Sequence, residues 1–318
     1  MNDRRDSAPI IVGMFLLFFV LICAITSISF VSLGKVSSGG KFSMSSDKDL
    51  IGANVGLIEI EGPIAVSKDK VKNINRLAEK ENIKAIFLYI NTPGGGVGAT
   101  EEIYRALLHA KEKGKKIYVC MGALCASGGY FLASAADEIF TTESTLTGSV
   151  GVIMSMMNLK ELYKFVKVDM VVFKSGKYKD IGNPARAMTD EEKKFIEGLV
   201  SKTFDIFFNV VFEGRKEKIK AKFPEKIKTD EDVKNYLKEY TQGQIILGKD
   251  AVEIGLADRI GVMEDMKKYA EKELGVPVKV TGEPRKNKFQ VFFEEMDQRL
   301  GDVTSGKAEK TELLFMAQ

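Results

Sequence analysis

Histidine is nearly absent from this chain: His109 is the only one among 318 residues. It lies in Leu107-Leu108-His109-Ala110-Lys111, near the end of a helical pattern, and reads as a surface charge rather than a base. A serine–histidine–aspartate triad therefore has no imidazole to draw on. Cysteine is also scarce, with three residues. Cys23 sits in an apolar run, and Cys120 and Cys125 are too few for a disulfide framework. Five residues apart near a strand end, they read as buried thiols, with a bridge between them as the alternative. Neither sign of charge dominates: 47 Lys+Arg face 44 Asp+Glu, a net charge of +3. Basic and acidic residues are interspersed, which excludes the strongly basic profile of a nucleic-acid binder. The sequence holds no metal-ligand cluster and no cofactor loop, so no metal and no cofactor are expected.

What is present begins with an uncharged stretch between Asp6 and Lys35. Its core, Ile10 to Val31, is 22 residues long. At about 1.5 Å per residue it reaches roughly 33 Å, enough for one transmembrane helix. The bulky Ile22 before Cys23 argues against lipoprotein processing, and only weak cleavage sites follow Val31, so an uncleaved anchor is expected. Arg4 and Arg5 before the run, against Lys35 and Lys41 after it, lead to the expectation of an N-terminus in the cytoplasm and a body outside it, across a membrane crossed once. The expected layout is a cytoplasmic N-terminus and anchor at 1–34, a Ser/Gly/Lys-rich linker at 35–50, the main folded domain at 51–283 and a tail at 284–318. The tail ends in Thr311-Glu312-Leu313-Leu314-Phe315-Met316-Ala317-Gln318, apolar enough to act as a self-ligand, with a frayed end as the alternative.

In the body, short apolar β-rich runs alternate with amphipathic stretches. Strands are predicted at Val55–Ile60, Ala85–Asn91, Lys116–Met121, Glu138–Thr142 and Met170–Lys174. Helices are predicted near 69–81, 98–113, 127–136 and 158–166. A long one runs from Asp190 to about Lys220, opened by a Thr189/Glu192 capping box. Shorter ones follow at 229–240 and 262–274. The alternation implies an α/β fold with mostly parallel pairing. The aromatic face of the long helix (Phe195, Phe204, Phe207, Phe208, Phe212) suits either core packing or a subunit interface.

Three segments carry the candidate chemistry. In Asn91-Thr92-Pro93-Gly94-Gly95-Gly96, a strand ends in glycines whose N–H groups can face a developing negative charge. A tight strand-to-helix turn would look the same. In Ala126-Ser127-Gly128-Gly129-Tyr130, a serine precedes a small-residue helix, either as an N-cap or as a nucleophile beside the Gly128 amide. The third, Lys174-Ser175-Gly176-Lys177-Tyr178-Lys179-Asp180, is a basic loop. Without an available histidine, a nucleophilic Ser127 needs another base, and a desolvated lysine can serve. Ser149, in Thr147-Gly148-Ser149-Val150, is a candidate to support that lysine.

At INTPGGGV, ASGGY, STLTGSVGV, KSGKYKDIGNP with the following RAMTDEE, and GQIILGKDAVEIGLADRIG, the chain resembles the short form of the signal peptide peptidase A family. The resemblance implies a Clp protease/crotonase-like β-superhelix with flanking helices behind the transmembrane helix. It implies Ser127 as nucleophile and Lys179 as base, with Lys177 the nearest rival. Gly94 or Gly95 with Gly128 would form the oxyanion hole, and Ser149 would contact the lysine. The implied assembly is a homo-oligomeric ring sharing each dyad between protomers. The implied substrates are apolar peptides such as remnant signal peptides. Gln244 and Leu247 depart from the family's usual Arg and Thr. A crotonase-like acyl-CoA enzyme and a non-catalytic membrane scaffold are the competing readings.

Overall fold

The structure is a computed structural model and describes residues 52–281. The predicted anchor at 10–31, the linker and the tail lie outside the described residues. Among the described residues, no helix is long and apolar enough to cross a membrane.

Three apolar runs form adjacent parallel strands: β1 (Val55–Glu61), β2 (Ala85–Thr92) and β3 (Lys116–Ala126). Helix α1 (Lys68–Ala78) connects β1 to β2, and α2 (Val97–Glu112) connects β2 to β3. Strand β2 is buried along nearly its whole length, as expected of a parallel strand covered on both faces. Ile86, Leu88 and Ile90 point to the core beneath α1 and α2, whereas Ala85 and Phe87 join Tyr118 and Cys120 on the opposite face. That alternation is the two-residue period of a strand.

Strand β3 is longer than its apolar run predicts, and the extension matters. Tyr118–Cys120 pair with β4 (Glu138–Thr141), while Leu124–Ala126 pair with β5 (Leu146–Gly148). The sheet thus branches at the segment that leads into Ser127. It continues through the only antiparallel pairing among the described strands, β5 with β6 (Ile245–Leu247). Short strands β7 (Arg259–Ile260) and β8 (Val280–Thr281) close its other edges on β4 and β1.

The remaining helices are α3 (Gly128–Ala133), α4 (Lys160–Phe165), α5 (Asp190–Lys222), α6 (Asp230–Tyr240), α7 (Gly248–Glu253) and α8 (Met263–Leu274). Helix α5 has the predicted capping box, with the Glu192 N–H donating to Thr189 Oγ1 and the Thr189 N–H donating to Glu192 Oε2. Its aromatic face enters the core over only part of its length. Phe207 and Phe212 are buried in the core, whereas Phe195 is exposed on the first turns. A buried ion pair ties α5 to the turn before β7: Arg215, 1% exposed, holds Asp258 at 2.7 Å. The Arg215 guanidinium also donates to the Gly255 carbonyl.

One predicted strand is absent. Met170–Lys174 lies in the segment 151–189, whose one helix is α4. Its β-rich composition has no neighbouring strand to pair with among the described residues, and a strand without a ladder partner is not stable alone. Phe165, Val171 and Phe173 there are strongly exposed, Phe173 at 95%.

Candidate active site

Ser127 stands between the end of β3 and the first residue of α3, with φ 51° and ψ −119°. A non-glycine residue at positive φ outside a turn is held there by its surroundings. The surroundings are identifiable. The Ser127 N–H donates to the Gly148 carbonyl at 2.9 Å, and its own carbonyl accepts from the Phe131 N–H at 2.9 Å. The side chain takes no part in this: Ser127 makes no cap hydrogen bond to α3, and its hydroxyl has no partner among the described residues. The capping role that sequence alone left open is therefore not what the hydroxyl does. It is half-buried and free.

The glycine loop packs directly against it. Gly94 has φ 105°, and a Cβ there would lie 2.7 Å from both the Ser127 Cβ and the Gly128 N. Only glycine allows the loop this close to the serine. Thr92 fixes the loop, its hydroxyl donating to the Gly62 carbonyl at 2.5 Å and accepting the Gly94 N–H at 3.0 Å. The Ile64 N–H donates to the Gly94 carbonyl, and the Gly96 N–H donates to the Ile64 carbonyl, each at 2.8 Å. The Gly94 amide is consequently occupied. The Gly95 and Gly128 amides have no partner among the described residues, and the Gly95 N lies 3.4 Å from where a Gly128 Cβ would be. Thr92 was not singled out from sequence, although a hydroxyl two residues before Gly94 was a visible signal.

Ser149 follows Gly148, the residue that holds the Ser127 backbone, and it too has φ 51°. Its N–H donates to the Gln244 carbonyl at 2.8 Å. The Gln244 side chain donates to the Glu239 carbonyl at the end of α6, at 2.6 Å. The departure at Gln244 is thus accommodated by a glutamine that anchors locally while its backbone positions Ser149.

Lys179 is exposed, in the turns at 176–186, most of whose other residues are half-buried. No hydrogen bond or ion pair among the described residues joins it to Ser127 or Ser149. Its neighbours differ from it. Lys174 pairs with Asp180 at 2.7 Å and Lys177 with Glu191 at 2.5 Å, while the Lys179 ammonium has no partner among the described residues. Beside this loop is a cavity of about 480 Å³, lined by Met154, Met156, Met157, Met188 and Ile196 and by the polar Asn158, Asn183, Arg186, Lys193 and Glu197; Ser127 is not part of it. His109 lies on the last turn of α2, 3.6 Å from both Glu79 and Glu112, and takes no part in the site. Cys120 and Cys125 are free and buried. Among the described residues no group of side chains is arranged to hold a metal ion.

A branched parallel sheet that seats a strained serine against a glycine loop defines a Clp protease-like α/β domain, and residues 56–146 match the Clp protease family model. Residues 109–277 match that of Peptidase family S49, and the chain belongs to this family. It is 35% identical over 200 residues to a putative signal peptide peptidase SppA of Enterococcus faecium, covering 63% of this chain and 54% of that protein. A putative protease of Synechocystis sp. is 34% identical over 217 residues, 68% of this chain and 73% of that one. Protease 4 of Haemophilus influenzae is 28% identical over 232 residues, 68% of this chain and 34% of its own. The chain thus spans about half the length of the first relative and a third of the last.

Proposed function

We propose that this chain is a membrane-bound serine endopeptidase that cleaves apolar peptides, remnant signal peptides among them, with Ser127 as nucleophile and Lys179 as general base. The observation that carries this reading is the free Ser127 hydroxyl, held at positive φ beside two unpartnered glycine amides. In the reaction, Lys179 Nζ takes the Ser127 proton as Oγ bonds to the peptide carbonyl carbon. The tetrahedral oxygen anion is held by the Gly95 and Gly128 N–H groups. The carbon–nitrogen bond then breaks, and the Lys179 ammonium gives its proton to the leaving amine. Water, deprotonated by the same amine, releases the acyl group and restores Ser127. Lys179 must be uncharged at the outset, a state that desolvation favours.

Within one protomer Lys179 is exposed, so its desolvation comes from a neighbour. The same neighbour accounts for the exposed apolar side chains of 151–189 and for the unpaired β-rich run at 170–174. A homo-oligomeric ring with each dyad shared between protomers meets all three needs. The methionine-lined cavity suits varied apolar side chains, because methionine adapts its shape to what it meets. The anchor expected at 10–31 would hold the ring at the bacterial membrane, its catalytic domain outside the cytoplasm.

Cleavage of an apolar reporter peptide by the full chain tests the proposal. Ser127→Ala and Lys179→Ala are each expected to be inactive while retaining fold and oligomeric mass. Mixed assemblies of the two are expected to regain activity, since one shared site in such a mixture has both wild-type residues. Cleavage by Lys179→Ala alone at the normal rate contradicts the dyad. Inactive singles without recovery on mixing contradict sharing.

A further inference from the structure

The residues on either side of Lys179 are both fastened to the first turns of α5. Before it, the Tyr178 hydroxyl donates to Glu191 at 2.8 Å, and its ring stacks on Phe195 with centroids 4.9 Å apart. After it, Asp180 meets Arg186 in a two-pronged contact, Nε to Oδ2 and Nη2 to Oδ1, both 2.9 Å. Arg186 also reaches the Asp180 carbonyl at 3.2 Å. The same guanidinium bonds Glu192 through Nη1 to Oε2 at 2.8 Å and Nη2 to Oε1 at 2.5 Å. Glu192 is buried and is itself half of the α5 capping box. Lys179 is therefore the one unanchored side chain between two anchored neighbours.

We propose that Arg186 is a positioning residue for Lys179: by bridging Asp180 to Glu192 it carries the rigidity of α5 into the loop that presents the amine. This rests on the reading of Lys179 as the base. Arg186 also lines the methionine cavity beside the loop, whereas Asp180 does not, so the positioning role is separated from any substrate contact at Asp180. A planar guanidinium suits it, because two carboxylates on opposite sides must be held at once, which an ammonium does with less geometric control. The other charges facing the clamp are Lys174, on Asp180, and the Lys177–Glu191 pair beside Tyr178. A base displaced by about 1 Å costs roughly 10²-fold in rate, so a clamp of this kind acts on turnover rather than on binding.

The test compares Arg186→Gln, Arg186→Lys, Asp180→Asn and Lys179→Ala in the full-length oligomer, with rates normalised to folded protein. Arg186→Gln is expected to lower kcat about 10²-fold, and Arg186→Lys to recover part of that loss. Asp180→Asn leaves the Arg186–Glu192 contact and the helix cap in place, yet is expected to lower kcat similarly. The acid limb of the pH profile is expected to move in opposite directions. It rises when the positive charge of Arg186 is removed and falls when the negative charge of Asp180 is removed. A role in stability alone would lower the thermal midpoint and leave kcat per folded site and the acid limb where they are. That result overturns the proposal while Lys179→Ala remains inactive. An active Lys179→Ala overturns the dyad itself, and the positioning role with it.

Discussion

Gly94→Ala probes the heart of the site, because the added carbon has nowhere to go. A Cβ at this position would lie 2.7 Å from the Ser127 Cβ, 2.7 Å from the Gly128 N and 3.1 Å from the Ala126 carbonyl oxygen. Ordinary contacts begin at 3.4 Å, so the loop and the serine must separate by several tenths of an ångström. The backbone at φ 105° is also unfavourable for alanine, a strain of about 1–3 kcal/mol. For a domain of this size that is a fall in thermal midpoint of about 2–12 °C. Catalysis should suffer more. Wedging the loop from Gly128 separates the two amides proposed to hold the oxygen anion, and losing one such donor lowers kcat by about 10² to 10³-fold. Gly98→Ala, at the second residue of α2 with open space around it, is the control and should leave kcat unchanged. Peptide cleavage and thermal melts of the two variants provide the comparison. Wild-type kcat in a folded Gly94→Ala enzyme would mean that the glycine loop is only a turn.

Arg215→Met should cost about 3 kcal/mol in urea unfolding, because it leaves the Asp258 carboxylate with only Lys218, 3.6 Å away, as a charge partner; a loss under about 1 kcal/mol would show that Lys218 and water together replace the guanidinium. Burial pushes the Cys120 thiol up to about 11 and Cys125 further, helped by the neighbouring thiol. Iodoacetamide should therefore leave both unmodified and the enzyme active until it is unfolded, and rapid inactivation through either one would contradict their burial. Hydrogen bonds from Arg186 hold the Glu192 carboxyl down at about 2, and Arg186 and Lys174 hold Asp180 well below the usual carboxylate range. Both values lie below those of the unfolded chain, so the clamp's contribution is complete above the ordinary carboxylate range and is lost only as pH falls toward about 2. Hydrogen exchange of the 176–186 amides should show the loop equally protected at pH 5 and pH 8, after correction for the intrinsic rate, and loosening already at pH 5 would contradict this.

The elements legible in the sequence were those long enough to show a period. Strands β1, β2 and β4 and helices α1, α2, α5, α6 and α8 coincide with apolar runs or amphipathic stretches to within a few residues. Strands β5 to β8 are two or three residues long, too short for alternation to register, and they form because β3, β5, β4 and β1 offer edges to pair with. The opposite error at Met170–Lys174 has the same root, since strand composition without a partner makes no strand. Ser127 was legible as a residue but not its state, because a helix-capping serine and a strained free one share one sequence context. The choice between Gly94 and Gly95 hinges on one hydrogen bond from the Gly94 amide to Thr92. Lys179 and Lys177 are separated by what pairs with them, and Glu191, 14 residues along, becomes a neighbour only in the folded loop.

The most direct measurement is the intact mass of the full chain after exposure to a serine-directed acylating or phosphonylating probe, on the wild type and on Lys179→Ala. A single adduct that maps to Ser127 in the wild type, and its near absence in Lys179→Ala of equal oligomeric mass, is the expected result. Equal labelling of both proteins, or an adduct at any other serine, would contradict the assignment.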